Sequence, residues 1–98
     1  MFSDLNNKKV LITGSTKGIG RAAAIAFARQ GAIIGINSSQ KDEAALELIS
    51  HLEKEKVRFA YFEHDLCDSS ECEALIGEFV DRFGGLDVLV NNAGGLGV

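Results

Sequence analysis

A continuous apolar run, Val10-Leu11-Ile12, leads without a break into three glycines, Gly14, Gly18 and Gly20, and these lead into an alanine-rich segment. Few folds accept that order. A strand too apolar to keep one face in water is covered on both faces, which is the condition of strands in parallel sheets. Glycines between such a strand and a helix let the chain reverse tightly, and they present bare backbone N–H groups at the helix amino end, where an anion is stabilised. The plainer reading of the same turn is a tight connection that holds no ligand.

The rest of the chain repeats the alternation. Residues 9–13 form the first expected strand, residues 19–30 the first helix, and Gly31 stands where a left-handed C-terminal residue belongs. Residues 32–37 are the second strand. Ser39 is placed to cap a second helix reaching Lys54, with Ala45, Leu46, Ile49 and Leu52 as its apolar stripe. Residues 57–62 make the third strand. In the third helix Cys72, Leu75, Ile76, Phe79, Val80 and Phe83 recur at steps of three and four, after the cap candidates Asp68, Ser69 and Ser70. Gly84 and Gly85 end it, and residues 87–91 are the fourth strand. Strands alternating with helices give a parallel α/β sheet, and right-handed crossovers give it the order 3-2-1-4. The order reverses between strands one and four, so the carboxyl ends of those strands form the expected ligand crevice.

With 98 residues, 46% of them hydrophobic, the chain builds one core and one domain. Its 14 acidic and 10 basic residues give a net charge of -4, with no basic stripe, which argues against a nucleic-acid partner. No apolar run reaches the roughly 20 residues of a membrane span, and the start MFSDLNNKK is not a signal peptide, so a cytoplasmic location is expected. Cys67 and Cys72 lack the spacing and the partner histidines of a zinc site and read as free thiols; no metal site is expected. A Walker-type phosphate loop needs Lys and then Ser or Thr directly after its final glycine, whereas Ile19, Gly20 and Arg21 follow Gly18 here, which disfavours nucleotide hydrolysis. His51 and His64 read as solvent-facing or locally bonded, and Glu53-Lys54-Glu55-Lys56 as a solvated helix end.

Thr13-Gly14-Ser15-Thr16-Lys17-Gly18-Ile19-Gly20 resembles the TGxxxGxG signature of the short-chain dehydrogenase/reductase family, and Asn91-Asn92-Ala93-Gly94 resembles that family's NNAG motif after strand four. Asp65, in His64-Asp65-Leu66, falls where the family places an adenine-contacting acid. The resemblance spans essentially the whole chain and implies the first half of a Rossmann-like doubly wound sheet, here four strands and three helices. It also implies a nicotinamide dinucleotide as partner. Gly14, Gly18, Ile19 and Gly20 would line the pyrophosphate and adjacent ribose, with Ser15, Thr16 and Lys17 as the rim of the loop. Asp65 and Leu66 would meet the adenine, and Asn91, Ala93 and Gly94 would floor the adenosine ribose. For Asp65 a helix cap or solvated acid stays open, and for Asn91 a structural bridge between strands.

An unphosphorylated ribose is usually gripped by an acid at the end of strand two, about twenty residues beyond the glycine turn. That place reads Asn37-Ser38-Ser39-Gln40, and the first carboxylate after it is Asp42, expected inside the next helix. Lys17 can pair with a 2′-phosphate, and Asn37, Ser38 and Ser39 can donate to it. Both this argument and the family's habit of a basic residue at the position of Lys17 favour NADP, with NAD as the alternative.

Family members reduce carbonyls or oxidise alcohols with a Tyr-x-x-x-Lys pair, a Ser and an Asn on later elements, and these 98 residues contain no such pair: Tyr61 is the only tyrosine. The resemblance therefore implies an NADP-dependent oxidoreductase, of 3-oxoacyl-carrier-protein-reductase type, whose catalytic half is absent from this truncated stretch and without which the stretch is inactive. A non-catalytic nucleotide-binding or interaction module is the alternative, and a stretch that binds nothing is a third reading. Strand four ends as an apolar edge, so self-association through it is expected.

Overall fold

The computed structural model describes residues 5–92. Seven elements alternate along the chain: β1 (Lys9–Thr13), α1 (Gly18–Arg29), β2 (Ile33–Ser38), α2 (Glu43–Lys54), β3 (Phe59–Glu63), α3 (Ser69–Phe83) and β4 (Val88–Asn91). The strands form one sheet in the order β3-β2-β1-β4, and every pairing is parallel. This is the expected Rossmann-like arrangement.

Alternation along the strands divides the core. Val10, Ile12, Ile34 and Ile36 turn to one face, where Ala24 and Ala28 of α1 and Leu48 and Leu52 of α2 bury them. Leu11, Ala60 and Phe62 turn to the other, under Leu75 and Phe79 of α3. Helices on both faces explain why β1 and β2 are apolar at nearly every position rather than at every second one. The row Leu11, Gly35, Ala60 is in register across three strands. A Cβ on Gly35 would lie 2.7 Å from two ring carbons of Phe79, so the missing side chain is what lets that ring settle on the sheet. Phe62 and Phe83 flank the same ring at centroid distances of 6.0 and 5.0 Å, within the range of favourable edge and tilted contacts.

Three of the boundaries that differ from the sequence expectation do so for a clear hydrogen-bonding reason. The second helix begins at Glu43, and its cap is Asp42, whose carboxylate accepts from the Ala45 N–H at 3.0 Å; Ser39 is not the cap. Ser38 instead donates its hydroxyl to the Gln40 carbonyl at 2.7 Å, which holds residues 38–40 in a turn. The third strand begins at Phe59, because the Val57 N–H still serves the end of α2 by donating to the Leu52 carbonyl. The second begins at Ile33, because Ala32 N–H closes the end of α1 on Phe27. Gly31 and Gly84 take left-handed φ values of 87° and 84° after α1 and α3, as expected of glycines in those places. Cys67 and Cys72 are free thiols. Among the described residues no helix is long and apolar enough to cross a membrane, and no cluster of His, Cys, Asp and Glu could hold a metal ion.

Candidate functional site

The carboxyl ends of β1, β2 and β3 open onto a cleft of about 370 Å³ lined by Gly14, Thr16, Lys17, Asn37, Ser38, Ser39, Asp42, His64, Asp65 and Leu66. Eight of these ten are residues that the sequence singled out. Asp42 and His64 are the two it did not place there.

The turn from β1 to α1 is built from within. Gly14 and Gly18 adopt φ values of 57° and 56°, the left-handed region that glycine enters without a Cβ penalty. The Gly14 N–H donates to Asn37 Oδ1 at 2.9 Å, and the Gly14 carbonyl accepts from Asn92 Nδ2 at 3.0 Å. One glycine is thus tied to the ends of β2 and β4 together. A Cβ on Gly20 would overlap the Gly14 carbonyl oxygen and lie 2.8 Å from Asn92 Nδ2 and 2.9 Å from Ser15 Cα, so α1 comes this close only as glycine. A Cβ on Gly18 meets nothing within 4 Å: the space over this residue is open. Neither a side-chain cap nor an acidic residue in the first turn occupies the amino end of α1. N–H groups that no side chain caps among the described residues, open space above Gly18 and glycine backbone beside it make a cradle whose polarity suits a pyrophosphate. The residues present fit a dinucleotide.

Two residues assigned to the rim are buried, and one of them supports the turn from below. Ser15 is fully buried; its N–H donates to the Asn37 carbonyl at 2.8 Å and its hydroxyl accepts from the Asn37 N–H at 2.7 Å. Thr16 is 5% exposed. Asn37, 1% exposed, spends its side-chain amide on the carbonyls of Phe62 at 3.0 Å and His64 at 3.3 Å while its Oδ1 holds Gly14. Asn37 is therefore a junction of β1, β2 and β3, with no N–H left to offer a phosphate.

Lys17, Gly18 and Ile19 are exposed, Ile19 to 81%. The Lys17 ammonium stands 3.7 Å from the Asp42 carboxylate. Asp42 is thus a cap facing the cleft and not an acid within the helix. Ser39 is exposed, and the Ser38 hydroxyl lies 2.6 Å from the Tyr61 hydroxyl. Burial pushes the pKa of Tyr61 up, the Ser38 hydrogen bond opposes it, and the charges of Glu63 and Asp42 add to the rise.

On the opposite wall Asp65 is exposed, and none of the described residues bonds its carboxylate. The capping alternative for this residue falls to Asp68, which accepts from the Glu71 N–H at 3.1 Å and begins α3. Leu66 packs against the α3 core. His64 fastens this wall: Nδ1 lies 2.9 Å from Glu71 and Nε2 2.9 Å from Glu78, both on α3. Hydrogen bonding to Glu71 holds the pKa of His64 above its usual value; burial works against this, and Glu78 adds to it. The signal was present in the sequence as Glu71 and Glu78, seven residues apart on one helix face and preceded by a loop histidine.

Asn91 lies at the end of β4, and its Oδ1 accepts from the Thr13 hydroxyl at 3.1 Å, which bridges β1 and β4. The Asn92 N–H donates to the same hydroxyl at 2.9 Å. Of the two readings of Asn91, the bridge is the one with a partner here. Ala93 and Gly94 lie outside the described residues.

A family model described as short chain dehydrogenase matches residues 8–98. An uncharacterised oxidoreductase of Bacillus subtilis, YhdF, is 47% identical over 89 residues, covering 91% of this chain and 31% of that protein. A 3-oxoacyl-[acyl-carrier-protein] reductase of Staphylococcus aureus is 37% identical over 87 residues, covering 89% of this chain and 35% of its own length. The chain thus spans about a third of the length of the curated relatives that it matches. Among solved structures, an NADH-dependent reductase, A1-R′, complexed with NAD superposes with a TM-score of 0.86 at 49% identity, over 98% of this chain and 40% of that one. The glycine turn, the parallel sheet in the order β3-β2-β1-β4 and these matches lead to one conclusion: the chain belongs to the short-chain dehydrogenase family.

Proposed function

We propose that this chain is the dinucleotide-holding part of an oxidoreductase that interconverts a carbonyl and an alcohol with a nicotinamide cofactor. The observation that carries the reading is the cradle over Gly14, Gly18 and Gly20, open above and closed below by Asn37 and Asn92. The N–H groups at the start of α1 would hold the pyrophosphate, and the cleft walls at Lys17, Ser38, Ser39, Asp65 and Leu66 would hold the adenosine end. A nicotinamide held in this way supplies or accepts the hydride. The chain's own residues orient it and leave Asp65 free to accept from the adenine amine.

Two cofactor forms fit this class. Lys17 and Ser39 favour NADP, as the sequence argument has it. The carboxylate of Asp42 beside Lys17, the commitment of Asn37 to carbonyls, and a relative described as NADH-dependent favour NAD. For the carbonyl, the acyl-carrier-protein reductase relative supports a 3-oxoacyl substrate.

A binding module without turnover is the second reading. Tyr61, the only tyrosine, has its hydroxyl 2.6 Å from Ser38 and a raised pKa, which does not suit it to protonate a carbonyl. Titration of the protein with NADH and NADPH, followed by cofactor fluorescence, separates these readings from a protein that binds neither. Saturable binding that Gly20→Ala weakens at least tenfold is expected; binding that Gly20→Ala leaves unchanged would overturn the cradle. Saturable binding fits both readings; oxidation of bound NADPH or NADH by a 3-oxoacyl thioester, assayed in a protein of the relatives' length that carries these residues, supports the oxidoreductase, and binding with no turnover in that longer protein supports the module.

A further inference from the structure

Asp42 does two things with one carboxylate. Oδ1 accepts from the Ala45 N–H at 3.0 Å and caps α2, while Oδ2 stands 3.7 Å from the Lys17 ammonium across the cleft. The two duties are coupled, because the carboxylate cannot swing away from the cleft without giving up the cap. Lys17, by contrast, has no other partner among the described residues, and its side chain is 74% exposed. An ion pair this exposed adds little to stability; its consequence is where it puts charge. The rim that would receive a ribose 2′-substituent carries a fixed anion next to its cation, and a second carboxylate, Asp65, lies on the facing wall.

Resting on the dinucleotide reading above, we infer that Asp42 is a specificity-determining residue that selects the cofactor with a free 2′-hydroxyl and rejects the 2′-phosphorylated form. A 2′-phosphate entering beside Lys17 would have to displace Asp42 or lie against it, and like charges brought together in this way oppose binding. A neutral ribose meets no such opposition, and the carboxylate can accept from its hydroxyl. The influence of Asp42 is felt further along the same wall, where its charge contributes to the raised pKa of Tyr61, the partner of Ser38. A sequence search for an acid at the end of β2 overlooks this residue, because the turn at residues 38–40 carries it back to the cleft from beyond the strand.

The test is the ratio of NADPH to NADH affinity, measured by cofactor fluorescence in the full chain. Asn and Ser both cap helices, so Asp42→Asn and Asp42→Ser keep α2 while removing the charge. Each is expected to raise the ratio about tenfold. Asp42→Glu keeps the charge and should leave the ratio near that of the parent protein. Adding Lys17→Gln to Asp42→Asn should take back most of the gain, because the freed ammonium supplies it. An unchanged ratio in both uncharged variants would overturn the role of Asp42 while leaving dinucleotide binding standing. Failure of the parent protein to bind either cofactor would instead overturn the functional reading, and this inference with it.

Discussion

Asn37 shows how a polar residue earns a place in an otherwise apolar strand. It lies at the end of β2, buried to 1%, and its amide faces the Gly14 N–H and the carbonyls of Phe62 and His64. No apolar side chain of its size could meet one donor and two acceptors at once. Asn37→Ala leaves these groups buried and unpaired, at about 1 kcal/mol for each bond lost. A fall in unfolding free energy of about 2–3 kcal/mol is expected in urea titrations. Asn37→Asp keeps the acceptor for Gly14 but sets a charge against two carbonyls, so it should be no more stable than the alanine variant. If both variants unfold at the parent urea concentration, Asn37 is not the junction described. The sequence named Asn37 for the right place and a different task. An amide near a phosphate site reads as a donor, and only the register of β2 with β3 shows that its donors are already used.

Between elements, the loop from β3 to α3 depends on His64. One imidazole joins the loop to Glu71 and Glu78, and donation from both ring nitrogens requires the protonated form. The folded-state pKa is raised, chiefly by Glu71. A raised folded pKa means that the stabilisation is fully present below the unfolded histidine value and fades as the pH rises through the folded one. Thermal melts between pH 5.5 and 8.5 should therefore show a midpoint that falls across the upper part of this range in the parent protein and stays flatter in His64→Gln. Equal pH slopes in the two proteins would remove the clamp. The spacing of Glu71 and Glu78 carried the signal, but the coupling joins a loop to two turns of a helix, and the sequence analysis left His64 only as solvent-facing or locally bonded. The helices and strands themselves were readable, since a period of 3.6 and a continuous apolar run are both properties of neighbouring residues. The cap of α2 was not: Ser39 and Asp42 are both good caps, and the Ser38–Gln40 turn decides between them.

At the scale of the whole molecule, the sheet order, the two-sided core and the position of the cleft all follow from four apolar strands and the glycines that join them. The strand order was legible because right-handed crossovers leave little choice; the cleft was expected at the carboxyl ends of strands one and four, where the order reverses, and among the described residues it lies instead over the ends of β1, β2 and β3. Among the described residues β4 is an edge strand with Leu89 44% exposed on its α3 face. The most direct test of the binding site is backbone amide NMR during addition of NADH. Saturable shifts should gather at residues 14–20, Ser38, Ser39, Asp65 and Leu66, with little change at the opposite end of the sheet around Lys56 and Arg58. Shifts that avoid the glycine turn, or that gather at that opposite end, would contradict a dinucleotide held at the carboxyl ends of the strands.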